Sequence, residues 1–159
     1  MSLTLVFGVL DVAYSDANGS GETTTGDVAE ILEKNYGVMR TFYELRREKI
    51  AGYLADSMAG AIQDLVNGAP RRDPTYGAMQ KIETEFRGFI FSGEMGRMYK
   101  AFTGQEISAA AARGVNHRKK HPYAASNPAR VAFVDTGTYV ASFRSWVTQD
   151  ATAPQPVTT

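Results

Sequence analysis

The chain has 159 residues, 43% of them hydrophobic and 21% charged, enough apolar material for one domain with a sizeable core. Its 17 Lys and Arg balance 17 Asp and Glu, which argues against a dedicated nucleic-acid binder and fits a chain kept soluble by partners rather than by self-repulsion. There is no cysteine for a disulfide or thiol chemistry, and no apolar run approaches the roughly 20 residues of a membrane span.

Ser2–Tyr14 is β-branched and aliphatic, with Leu5, Phe7 and Val9 on one face and Val6, Leu10 and Val12 on the other. That pattern predicts a strand or extended arm buried on both sides, with Gly8 as a bulge or close approach. It reads as structure and not as a signal peptide, because no basic region precedes it and no small-residue cleavage site follows. Ser15–Thr25 is a loop around Asn18-Gly19 and Gly21. Gly19 and Gly21 are too little for a phosphate loop without a following Gly-Lys-Ser/Thr.

Thr24 with Asp27 makes a capping box for a short helix over Gly26–Asn35, and Gly37 can end it in the left-handed conformation. Val38–Asn67 is the longest predicted helix. Phe42, Leu45, Ile50, Leu54, Met58, Ile62 and Leu65 mark one stripe, which reads as core and not as a cofactor box; Gly68 and Pro70 stop the helix. At 1.5 Å per residue it is about 45 Å long, more than a compact domain of this size needs, so part of it is expected to pack on a neighbour. Asp73-Pro74 then opens a third helix carrying Met79, Ile82, Phe86, Phe89 and Ile90, which ends near Ser92-Gly93. Thr103-x-x-Glu106 is a second capping box, before a short helix over Ala109–Ala112 that Gly114 stops.

Val115–Arg130 has no apolar period and reads as an ordered loop rich in Arg113, His117, Arg118, Lys119, Lys120 and Arg130 around its flanks and centre. His117 and His121 are four apart, but Pro122 blocks a continuing helix and no third ligand is near, so no metal is expected. The basic side chains suit a subunit interface, contact with the phosphates of passing DNA, or plain solvation. A small DNA-binding module built on this loop is an alternative function.

Phe133–Val147, FVDTGTYVASFRSWV, is the most informative stretch. Asp135-Thr136-Gly137 is the triplet of aspartic proteases, in which two Asp share a proton. It is also a helix start, with Asp135 or Thr136 as cap. Tyr139, Phe143, Trp146 and Val147 recur at helical spacing, which favours the capped helix. A protease would also need a second hydrophobic strand ending in Gly to support the turn, and none follows. An aspartic-protease-like enzyme therefore stays the alternative, and no cofactor is expected with either. A further strand is expected near Ala129–Val134.

Val134-Asp135-Thr136-Gly137 with the aromatic Tyr139 and then Ser142-Phe143 resembles the C-terminal signature of phage tail-completion proteins, the neck proteins that join head to tail. The order of helices across Thr25–Gly68 is similar too, whereas the basic segment Arg113–Arg130 is not part of that pattern. The resemblance implies an α+β, helix-dominated single domain over residues 1–150. It would have long N-terminal helices, a small antiparallel sheet and a short C-terminal amphipathic helix. It also implies a virion protein with no enzymatic activity, assembled head to tail as a ring of six or twelve. The partners implied are the portal or its adaptors and the tail tube or tail terminator, with transient contact to passing DNA and none to membrane. The arm 2–14 and the Pro- and Thr-rich tail Ala151–Thr159 cannot build a core alone, so at least one of them is expected to lie along an adjacent subunit.

Overall fold

A computed structural model describes residues 3–14, 23–70, 73–105, 109–115, 120–121, 123–134 and 137–149. The element order is β1 (Thr4–Val9), α1 (Thr25–Tyr36), α2 (Val38–Val66), α3 (Tyr76–Phe91), α4 (Glu94–Thr103), α5 (Ala109–Ala112), α6 (Thr138–Ser142) and β2 (Phe143–Thr148). The fold is α+β, dominated by helices, with one two-stranded antiparallel sheet among the described residues.

Local chemistry sets the helix ends. Thr24 accepts from the Asp27 N–H, and the Asp27 carboxylate accepts from the Thr24 N–H at 2.8 Å, so Asp closes the capping box as Glu would. Gly37, at φ 59°, ends α1 by donating to Glu33 O. It also precedes α2 without a side chain to cap it. Glu33 reaches across instead, and its carboxylate accepts from the N–H groups of Met39 (2.7 Å) and Arg40 (3.2 Å). A carboxylate is favoured there because the free N–H groups of a helix start carry partial positive charge.

The expected third helix begins later than Asp73-Pro74 suggests. Asp73 accepts from both the N–H and the hydroxyl of Thr75 at 2.8 Å, forming a turn, and α3 opens at Tyr76. Ser57 on α2 donates to the Pro74 carbonyl and pins that turn. Gly93, at φ 72°, reverses the chain into α4, a helix the sequence pattern did not separate from the following loop. Thr103 closes α4 and does not open α5: its hydroxyl donates to Tyr99 O and accepts from Gln105 N–H, while Glu106 lies outside the described residues.

Two other expectations are corrected. Ala129–Val134 holds no strand; it is irregular, with Phe133 at φ 68°. The second strand lies instead in Phe143–Thr148, where a helix was expected. Phe143 and Val147 fit a helical period and a two-residue alternation equally well. Pairing decides between them: Val9↔Phe143 through Thr4↔Thr148 form the ladder with β1. The N-terminal arm is therefore paired inside its own chain. It is half-buried along most of its length, not covered on both faces. The tail Ala151–Thr159 lies outside the described residues.

The core is aromatic. Phe143 stacks on Phe86 with ring centroids 3.8 Å apart, and Phe42 meets Phe86 edge-on at 5.2 Å. Val38, Ile50, Ile82, Phe89, Ile90, Met95, Tyr139 and Val140 complete it, with Leu5, Phe7 and Val9 of β1 against its margin. No helix among the described residues is long and apolar enough to cross a membrane.

Candidate assembly surface

The C-terminal segment divides into a buried half and an open half. Gly137, at φ 80°, holds the cap position of α6, so neither Asp135 nor Thr136 occupies it; both lie outside the described residues. Tyr139 is 3% exposed, and its hydroxyl has no hydrogen-bond partner among the described residues. Burial foremost, then the negative Glu33 and the neighbouring Tyr14, pushes its phenol well above the ordinary value, so it stays protonated. Phe143 is fully buried at the centre of the core. Trp146 differs. It is only half-buried, on the sheet face away from the core, and its indole lies across Gly8. A Cβ added to Gly8 would come within 2.8 Å of that ring, so the close approach expected of this glycine is to Trp146.

Arg113, Lys120 and His121 are exposed, and His117, Arg118 and Lys119 lie outside the described residues. Arg130 works within the chain: its guanidinium donates to Val134 O and to Val115 O, both at 3.0 Å, and ties the two ends of the irregular segment. Besides being a candidate for DNA or subunit contact, it is therefore a structural latch within the chain. Gly114, at φ 70°, packs against Asn127, whose carbonyl oxygen a Cβ would meet at 2.5 Å. Gly114 and Asn127 are thus in close main-chain approach. No group of three His, Cys, Asp or Glu able to hold a metal occurs among the described residues.

Two functional groups escaped the sequence reading. Glu83 stands on the buried face of α3 between Met79 and Phe86, with its side chain 8% exposed. One oxygen accepts from the Ser145 N–H on β2 at 3.2 Å; the other faces Arg87 at 3.3 Å and Arg144 at 4.0 Å. An ionisable residue four positions from Met79 on an apolar stripe was the available signal. The second group joins three helices. Arg46 on α2 binds Glu85 on α3 (2.9 Å) and Glu94 on α4 (2.5 Å), and Lys49 adds to Glu85 at 2.7 Å. Lys49 first, then Arg46, holds the Glu85 carboxyl below its usual range.

The open surface is of two kinds. Beyond Ser57, α2 runs past the start of α3 with apolar side chains uncovered on one side: Met58 is 39% exposed, Ile62 60%, Leu65 62% and Val66 74%. Between β1 and the first half of α2 lies a groove of about 900 Å³, lined by Leu5, Phe7, Met39, Tyr43, Ile50 and Leu54, with Arg40 and Arg47 also on its walls. No family model, no curated protein and no solved structure matches the chain.

Proposed function

We propose that the chain is a non-enzymatic structural subunit that acts as a homo-oligomer: a ring-forming neck or tail-completion component joining the head of a tailed phage to its tail. The observation that carries assembly is the free end of α2. Met58, Ile62, Leu65 and Val66 stand exposed together there, on a different side of the helix from the buried Phe42 and Ile50. A contiguous apolar stripe on a projecting helix is a surface for a partner. The same chain also carries the β1–α2 groove, a surface of a different kind. Contacts between unlike surfaces run head to tail, and they close into a ring where the rotation from one subunit to the next permits it.

The neck identity rests on the resemblance at Val134–Phe143 and on the long helices before it. The occurrence of a short helix directly after Gly137 agrees with that signature. In this role the subunits form a ring of six or twelve in the virion, between the portal or adaptor and the tail tube or tail terminator. Arg113 and Lys120, with His117, Arg118 and Lys119, are the candidates to meet passing DNA or the next subunit. Native mass measurement and electron microscopy of the purified chain test this directly. Closed rings with an open bore are expected; a chain that stays monomeric at every concentration would refute it.

A further inference from the structure

The two edges of the sheet are finished differently. Leu10 N–H bonds to Ser142 O at 2.8 Å, which fixes the phase of the ladder. By the alternation of an antiparallel pair, Gly8/Arg144, Val6/Trp146 and Thr4/Thr148 are the bonded pairs. Leu5, Phe7 and Val9 on one strand, and Phe143, Ser145 and Val147 on the other, then point their main-chain groups outward.

On β2 side chains meet two of those groups. Glu83 accepts from Ser145 N–H, and the Arg144 guanidinium donates to Phe143 O at 2.7 Å. On β1 no side chain among the described residues bonds the outward groups of Leu5, Phe7 or Val9. The strand TLVFGV contains no Lys, no Pro and no charge, the usual means of blunting an edge. Beside this edge α2 stands off and leaves the 900 Å³ groove.

We propose that the open edge of β1 receives, as a third strand, residues 151–159 of a neighbouring copy. The proposal rests on the homo-oligomer reading above and names where one copy holds the next. The segment reads ATAPQPVTT, uncharged, with Pro154 and Pro156 two apart. In a strand, residues two apart direct their main-chain nitrogens to the same side. Both imide nitrogens then face away, while Ala153, Gln155, Val157 and Thr159 keep their N–H groups on the other side. Such a segment can bond along one side only, which suits the last strand of a sheet. β1 offers one open edge of matching length: its six residues span about 20 Å at 3.3 Å per residue, within reach of nine extended residues. The segment's own β1 is the harder target. β2 leaves the sheet at Thr148, opposite Thr4, so β1 itself stands between that exit and its open edge.

The side to which each nitrogen points gives the test. In the full chain, Val157→Pro removes a donor aimed at β1, whereas Thr158→Pro falls on the outward side. Amide exchange at Leu5, Phe7 and Val9 is read together with native mass. In the parent, these amides should exchange at least tenfold more slowly once the chain assembles. Val157→Pro should restore fast exchange and weaken assembly, and Thr158→Pro should leave both unchanged. Equal behaviour of the two variants, or fast exchange at β1 within intact rings, overturns this site and leaves the ring reading standing. Protected amides in a chain that is monomeric at every concentration place the segment on its own β1 and overturn the proposal together with the ring. Fast exchange in a permanent monomer overturns both as well.

Discussion

The contrast between Phe143 and Trp146 is the sharpest check on the C-terminal fold. If Phe133–Val147 were one amphipathic helix, both rings would lie on one buried stripe and truncating either would cost alike. In the strand they are three residues apart and so face opposite sides of the sheet. Phe143 is fully buried, stacked on Phe86 at 3.8 Å, with Phe7 at 5.8 Å and Phe42 at 6.3 Å. Phe143→Ala removes the buried ring and leaves a cavity, which costs about 3–5 kcal/mol. For a chain of this length each kcal/mol lowers Tm by about 2–4 °C, so the fall should be roughly 6–20 °C. Trp146 is half-buried and covers Gly8 from outside. Trp146→Ala re-exposes surface without opening the core, so a loss of about 1 kcal/mol and a few °C is expected. Thermal unfolding followed by circular dichroism, on both variants at one protein concentration, makes the comparison. Equal large losses would refute the strand and restore the helix, while a small loss at Phe143 would refute the aromatic core.

Glu83→Leu should cost about 1–3 kcal/mol in thermal unfolding, because it leaves the Ser145 N–H without its acceptor; an unchanged Tm would show that this bond is not made. Ile62→Asp together with Val66→Asp should leave the unfolding midpoint of the monomer within about 0.5 kcal/mol, since both side chains are exposed, yet abolish assembly in sedimentation. Asp135→Asn should keep most of the function; a measured peptidase activity abolished by that single change would restore the protease alternative. Lys49 and Arg46 depress the Glu85 carboxyl, so its contribution is full above the ordinary glutamate value of 4.5 and is lost as pH falls through the lower folded value. The Tm difference between the parent and Glu85→Gln should accordingly be present at neutral pH, of order 1 kcal/mol or less for so accessible a network, and vanish in acid.

Elements whose ends are written in neighbouring residues were legible from the sequence alone. The capping box at Thr24, the glycine reversals at Gly37, Gly68 and Gly93, and the extent of α2 follow from local hydrogen bonding and φ preference, whereas much of the expected stripe on α2 is exposed. The helix-dominated α+β class followed from them. What the sequence left open was decided by partners distant in the chain. Phe143–Thr148 became a strand because β1, more than a hundred residues earlier, supplied a ladder that no local signal records. Glu83, an unremarkable acid in sequence, became the cap of a sheet edge because α3 packs beside β2. Arg130 was drawn from a basic run into the role of a latch because Val115 and Val134 present carbonyls to it. In each case the residue's own chemistry allowed several roles, and the non-local neighbour that completed its hydrogen bonds selected one.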